Sequence, residues 1–124
     1  MKDPIYNSKI FTAETIAASG TLENSSAPLV FGPKIAKGNN VGRNGEFNLW
    51  LKLTGNGTLK AQAKCSGNDG VDYVTIVPEI ETGLVAGNYL ISFSLPLCTQ
   101  FTILLTETGG ANQIVVAECN VISR

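Results

Sequence analysis

The sequence predicts an all-β fold, a jelly-roll-like β-sandwich of seven to nine short antiparallel strands. Three observations predict it. Apolar and polar residues alternate with period two in run after run, the mark of strands with one buried face. Turn residues separate those runs, and most of the thirteen glycines fall there. No window carries convincing helical spacing. The best, Thr12–Ala18 (TAETIAA), is short and β-branched at Thr15 and Ile16.

From the N-terminus, residues 1–8 read as an arm and residues 9–124 as one sandwich domain. Weak strand patterns lie near Lys9–Phe11, Thr15–Leu22 and Pro28–Phe31, and the glycine-rich stretch from Gly32 to Gly45 reads as a long loop. The clear strands follow. EFNLWLKLT places Phe47, Leu49, Leu51 and Leu53 on one face, and TLKAQAKCS does the same with Leu59, Ala61, Ala63 and Cys65. DYVTIVPEI is a strand whose end lies at an edge or bend, because Pro78 cannot donate to a ladder. NYLISFSL presents Tyr89, Ile91, Phe93 and Leu95; QFTILLT presents Phe101, Ile103 and Leu105; QIVVAECNVI presents Val115, Ala117, Cys119 and Val121.

Register arithmetic joins the first two clear strands in a hairpin across Gly55-Asn56-Gly57, so that Leu53 faces Leu59, Lys52 faces Lys60, and Gly57 takes positive φ. The same arithmetic sets Leu105 opposite Val115 across Gly109-Gly110-Ala111.

Apolar residues make up 44% of the chain and charged residues 15%, against roughly 25% charged in ordinary globular domains. So sparse a charge suggests that part of the surface is covered by something else. The net charge of −1 gives no reason to expect nucleic acid or an anionic membrane as a partner. No run approaches the roughly 20 apolar residues of a membrane helix. The start MKDPIYNSKIF lacks the apolar stretch of a secretion signal, so folding in the cytoplasm is the expectation.

Catalytic candidates are few. With no histidine, a Ser-His-Asp triad and a Cys-His pair are excluded, and Cys65, Cys98 and Cys119 lack zinc-ligand spacing. The three cysteines read as core thiols, not as a disulfide framework. Glu79 with Glu81, or Asp69 with Asp72, could serve as a glycosidase pair, but each reads as solvated turn or edge charge. NDGVD at 68–72 is a turn before it is a calcium loop, and GNGTLK lacks the glycine spacing of a phosphate loop. No catalytic residue, metal or cofactor is expected.

The outward faces carry the functional signal. Trp50, Leu90, Leu104, Ile114, Val116 and Ile122 all fall on nominally solvent-facing positions. Loops or the arm could cover them, or they could form an assembly surface. The candidate interface is Trp50, Lys52, Leu104, Ile114, Val116 and Glu118, with Glu118 offering a carboxylate to lysines of a partner.

SGNDGVDYV, then YLISFSLPLCTQFTILLTETGGANQIVVAECNVI, resembles a family of small virion structural proteins of tailed bacteriophages and prophages, and LTGNGTLKAQAKCSGNDG is similar to that family's SGDGT hairpin. The likeness covers Glu46–Ile122, and TETGGAN (Thr106–Asn112) is its most specific part. The chain departs from the pattern at Lys64, Cys65 and Gln100. The resemblance implies a non-enzymatic virion component made in the bacterial cytoplasm. A capsid decoration or head-associated protein is the leading form, a homo-oligomer, with a trimer the natural guess, docked on other virion proteins such as the major capsid protein. A carbohydrate-binding β-sandwich module is the alternative, with Trp50 stacking on a sugar.

Overall fold

A computed structural model describes residues 5–24, 29–30, 47–77, 79–96 and 98–122. The loop expected over Gly32–Gly45 lies outside the described residues. The strands are β1 (Ile5–Ile16), β2 (Thr21–Glu23), β3 (Leu29–Val30), β4 (Phe47–Leu53), β5 (Leu59–Ser66), β6 (Val74–Thr75), β7 (Glu81–Leu84), β8 (Gly87–Phe93), β9 (Gln100–Glu107) and β10 (Gln113–Ile122). No helix occurs among the described residues, and none is therefore long and apolar enough to cross a membrane.

Two antiparallel sheets face each other, as the alternation requires. One has the order β1-β10-β4-β8; the other has β2-β9-β5-β6, with β3 added on β9 and β7 on β5. The inward positions are those the period-two pattern picks out. Leu49, Leu51, Leu59, Ala61, Ile103, Leu105, Val115 and Ala117 are wholly buried. Phe47, Phe93 and Phe101 close one end of the core, with Phe47 stacked on Phe93 at 5.3 Å and edge-on to Phe101 at 5.0 Å. Phe93, expected to be fully buried, is half-buried, because β8 is the edge of its sheet.

Both expected hairpins are corrected by the strand order. β4 pairs with β10 and β8, so Leu51 lies beside Ala117 and Tyr89. β5 pairs with β9, placing Leu59 opposite Glu107 and Lys60 opposite Thr106. Leu53 and Leu59 are therefore not ladder partners, Lys52 and Lys60 lie on different sheets, and Leu105 pairs with Ala61 and Leu22, not Val115. The connections after β1, β4, β7 and β9 all cross from one sheet to the other at the same end of the sandwich.

Such crossings leave backbone N–H groups without ladder partners, and buried ones must be satisfied. Two side chains from the TETGGANQ stretch do this. The Glu107 carboxylate accepts from the N–H groups of Ser19 (2.8 Å), Thr58 (2.9 Å), Gly109 (2.6 Å), Gly110 (2.8 Å) and Ala111 (3.2 Å). The wholly buried Gln113 accepts from the N–H groups of Gly55 and Ile114, and donates to the carbonyls of Gly55 and Gly57. Asn112 adds its side-chain oxygen to the Ala18 N–H (2.9 Å) and its carbonyl to Asn56 and Gly57. The stretch expected to be a hairpin tip is thus a polar knot that ties three crossings together.

Gly57 is needed for space and not for positive φ. A Cβ there would lie 2.7 Å from the Ala111 carbonyl oxygen and 3.0 Å from the Gln113 Cβ. Gly110, by contrast, has φ 82° and open space around it. Thermal melts should therefore show Gly57→Asn strongly destabilised, while Gly110→Asn stays close to the wild type and Gly110→Val falls below it. Equal melting of Gly57→Asn and the wild type would contradict this packing.

β1 is longer than the weak patterns suggested. It pairs with β10 from Ile5↔Ile122 to Ile16↔Gln113, with irregularities between Lys9 and Phe11 and between Thr12 and Glu14. Ala13 sits at φ 66° in the second. Ile5–Ser8, expected in an arm, are the first residues of this strand. The segment 17–20, read as part of a strand, is the turn into β2.

Candidate functional site

The outer face of the β1-β10-β4-β8 sheet is laid out in rows by the ladder register. Asn7, Asn120, Asn48 and Ser92 make one row; Lys9, Glu118, Trp50 and Leu90 the next; Thr12, Val116, Lys52 and Asn88 the third; Thr15 and Ile114 begin a fourth. The first row is tied by its own side chains. The Asn7 amide donates to Asn120 Oδ1 and to Glu118 Oε1, both at 2.8 Å, and Ser92 Oγ donates to Asn48 Oδ1 at 2.8 Å.

Trp50, Leu90 and Val116 are neighbours across the next two rows. Leu90 is 66% exposed and Ile114 40%, while Trp50 and Val116 are half-buried. The face is an apolar patch bordered by amides, a lysine and a carboxylate.

Five of the six candidate interface residues, Trp50, Lys52, Ile114, Val116 and Glu118, share this face. Leu104 does not. It lies on the outer face of the opposite sheet, half-buried between Glu23 and Gln62. Glu23 there bonds Lys64 Nζ at 3.3 Å and accepts from Thr102 Oγ1 at 2.8 Å, so Leu104 stands in a polar setting. Leu90 takes its place in the patch. Its outward position was legible in the alternation, but its adjacency to Trp50 follows from the β4–β8 pairing. The side chain of Ile122 lies outside the described residues.

The chemical candidates resolve into local structure. Asn68 Oδ1 accepts from Ser66 Oγ and from the Asp72 N–H, and its amide donates to Asp72 Oδ2, so the NDGVD segment is a self-bonded turn with Asp69 at φ 59°. Glu81 accepts from the N–H of Thr82. Glu79 lines an apolar groove of about 300 Å³ between the β6–β7 connection and the end of β8, together with Ile76, Ile80, Phe93 and Leu95. The N–H groups of Gly55, Asn56, Gly57 and Thr58 are all taken by Gln113, Asn112 and Glu107, which leaves no cradle for a phosphate in GNGTLK. No cluster of three or more His, Cys, Asp or Glu able to hold a metal occurs among the described residues.

Cys65, Cys98 and Cys119 are free thiols. Cys65 and Cys119 are core residues as expected, and burial pushes Cys119 up to about 12. Cys98 is only half-buried. The Glu107 carboxyl is held down to about 2 by the backbone N–H groups of Ser19 and Thr58, with Gly109 and Gly110 adding to them.

No family model matches the chain, and no curated protein does either. Solved structures do. In the infectious bursal virus derived T=1 particles, 96% of this chain aligns with 31% of that chain at 14% identity and a TM-score of 0.56. For the VP2 subviral particle of infectious bursal disease virus the figures are 96%, 32%, 14% and 0.57. The CBM22-1 xylan-binding domain of Paenibacillus barcinonensis Xyn10C aligns more loosely, at 10% identity over 96% of this chain and 81% of that one, with a TM-score of 0.47. The chain spans about a third of the length of the capsid chains it matches. At these identities the likeness is one of fold: the protein is an all-β sandwich of the kind found in those viral capsid chains.

Proposed function

We propose that the protein is a non-enzymatic structural component of a tailed-bacteriophage virion, a capsid decoration or head-associated protein. It acts by self-association and by docking on other virion proteins such as the major capsid protein. The observation that carries the proposal is the apolar patch of exposed Leu90 and Ile114 with half-buried Trp50 and Val116, on a sheet face bordered by Lys52 and Glu118. A regular sheet face suits a repeated contact, and closed cyclic symmetry, here a trimer, is the ordinary way to bury one. Two further observations support the reading: the sequence resemblance through TETGGAN, and the sandwich fold shared with capsid chains. Lys52 and Glu118 lie on adjacent strands at the patch border, where each can meet the opposite charge of a neighbouring copy.

Leu90→Asp combined with Ile114→Asp tests this, because both side chains are solvent-facing and the core stays intact. Sedimentation velocity at tens of micromolar should show the wild type as a defined oligomer and the double variant as a folded monomer with unchanged circular dichroism, melting lower only by the lost association. A monomeric wild type would refute self-association. If that monomer bound glycans through Trp50, the carbohydrate-binding alternative would replace the proposal.

A further inference from the structure

We propose that the free edge of β8 pairs with β8 of a second copy, joining two four-stranded sheets into one of eight strands. The inference deepens the self-association proposed above and rests on it, but it uses the edge of the sheet and not its face. Sheet edges present unpaired N–H and C=O groups that invite another strand, and proteins blunt them with bulges, charges or short strands. Among the described residues, three of the four edges are blunted in this way. β1 carries two register irregularities, the positive φ of Ala13, and the charges of Lys9 and Glu14. On the other sheet, β2 and β3 are three and two residues long, and β6 and β7 are two and four. β8 differs from all of them. Its seven residues, GNYLISF, hold no charge and no proline, and its register with β4 runs unbroken from Leu53↔Gly87 to Phe47↔Phe93. β4 is its one ladder partner among the described residues.

The edge is also incompletely covered on its inner side. Tyr89, Ile91 and Phe93 face the core yet are only half-buried. At the Phe93 end, the apolar groove of about 300 Å³ opens between β8 and the other sheet, where Ile76 and Ile80 are half-buried and Val77 is 76% exposed. A strand laid beside β8 would take these groups out of water.

The sequence of β8 points to β8 itself as that strand. An antiparallel pair centred on Leu90 uses all seven residues. It sets Leu90 opposite its own copy, Asn88 opposite Ser92, Tyr89 opposite Ile91 and Gly87 opposite Phe93. On the outer face leucine meets leucine and polar meets polar; on the inner face an aromatic residue meets a β-branched one. No like charges are opposed. A slip of one residue would set inward side chains against outward ones. Because Leu90 is the ladder neighbour of Trp50, the pairing also fuses the two apolar patches across a two-fold axis. Such a contact is isologous, and with a three-fold contact on the face it closes six copies.

Sedimentation velocity at tens of micromolar tests the pairing. The wild type should hold an even number of copies. Asn88→Glu/Ser92→Glu opposes carboxylates at both ends of the pair and should halve that number, with unchanged circular dichroism. Asn88→Glu/Ser92→Lys opposes unlike charges at the same two places and should keep it. Ile114→Asp/Val116→Asp removes the face contact and should remain a dimer. In that background, Leu90→Cys treated with a short bismaleimide should give a covalent dimer whose peptide map joins position 90 to position 90. A wild-type dimer that Ile114→Asp/Val116→Asp leaves unchanged would support the edge and refute the face contact. A wild-type trimer would do the reverse. A monomeric wild type, or equal masses for the Glu/Glu and Glu/Lys variants, would overturn the edge pairing.

Discussion

Truncating Leu51 to alanine should lower the unfolding free energy by about 2–5 kcal/mol, the transfer and cavity cost of a leucine in a core that cannot collapse around the gap. Leu51 is wholly buried on β4, with Ala117 on β10 and Tyr89 on β8 as its ladder neighbours. Strands on both sides hold the backbone in place, so the cavity persists. Phe93→Ala should cost less than a core phenylalanine normally does, because Phe93 is half-buried at a sheet edge. Urea denaturation of the two variants measures both. A loss below about 1 kcal/mol for Leu51→Ala would mean that the inward and outward faces had been exchanged.

Glu107→Gln should remove a distinct part of the protein's acid sensitivity and weaken it at neutral pH. In the folded protein the carboxyl is held at about 2, below its ordinary 4.5. A depressed carboxyl favours folding most when it is ionised in both states. Its contribution is therefore complete above about 4.5 and fades as the pH falls toward about 2. The glutamine variant lacks that slope. It is also less stable at neutral pH for a geometric reason. Oε1 accepts from Ser19, Gly110 and Ala111, and Oε2 from Thr58 and Gly109, so an amide NH₂ in either position meets N–H donors. Denaturation of wild type and variant across the acid range checks this; identical pH profiles would contradict it.

What the sequence made legible follows from what alternation encodes. Period two states which face a residue occupies, and on that count Phe47 through Leu53, Leu59 through Cys65 and Val115 through Cys119 are placed correctly. It does not state which strand lies alongside. Leu53 against Leu59 satisfied the register arithmetic, yet any two inward residues of a sandwich satisfy it, whether they meet across a ladder or across the core. A short glycine loop between two strands favours a hairpin locally. Here Glu107 and Gln113 hold the loop as a crossing, and those residues lie more than 40 positions away in sequence. The candidate surface shows the same limit. Trp50, Val116 and Glu118 come together because β4 and β10 pair, whereas Leu104, identical in pattern, went to the other sheet. The signal that could have placed Glu107 was its inward parity: an acid on the buried face at the end of β9 requires donors.

The position of β10 also bears on how the chain is made. It lies between β1 and β4, and β1 has no other ladder partner among the described residues. While residues 113–122 are still inside the ribosome, β1 cannot enter its sheet, β4 keeps one edge open, and Gln113 is not there to close the crossing after β4. Until those residues emerge, the nascent chain therefore carries an unpaired edge rich in leucine, the kind of surface that folding helpers shield. Closure of this sheet is tied to the emergence of β10, which makes both the sheet and the surface carrying Trp50 and Val116 available at a single moment.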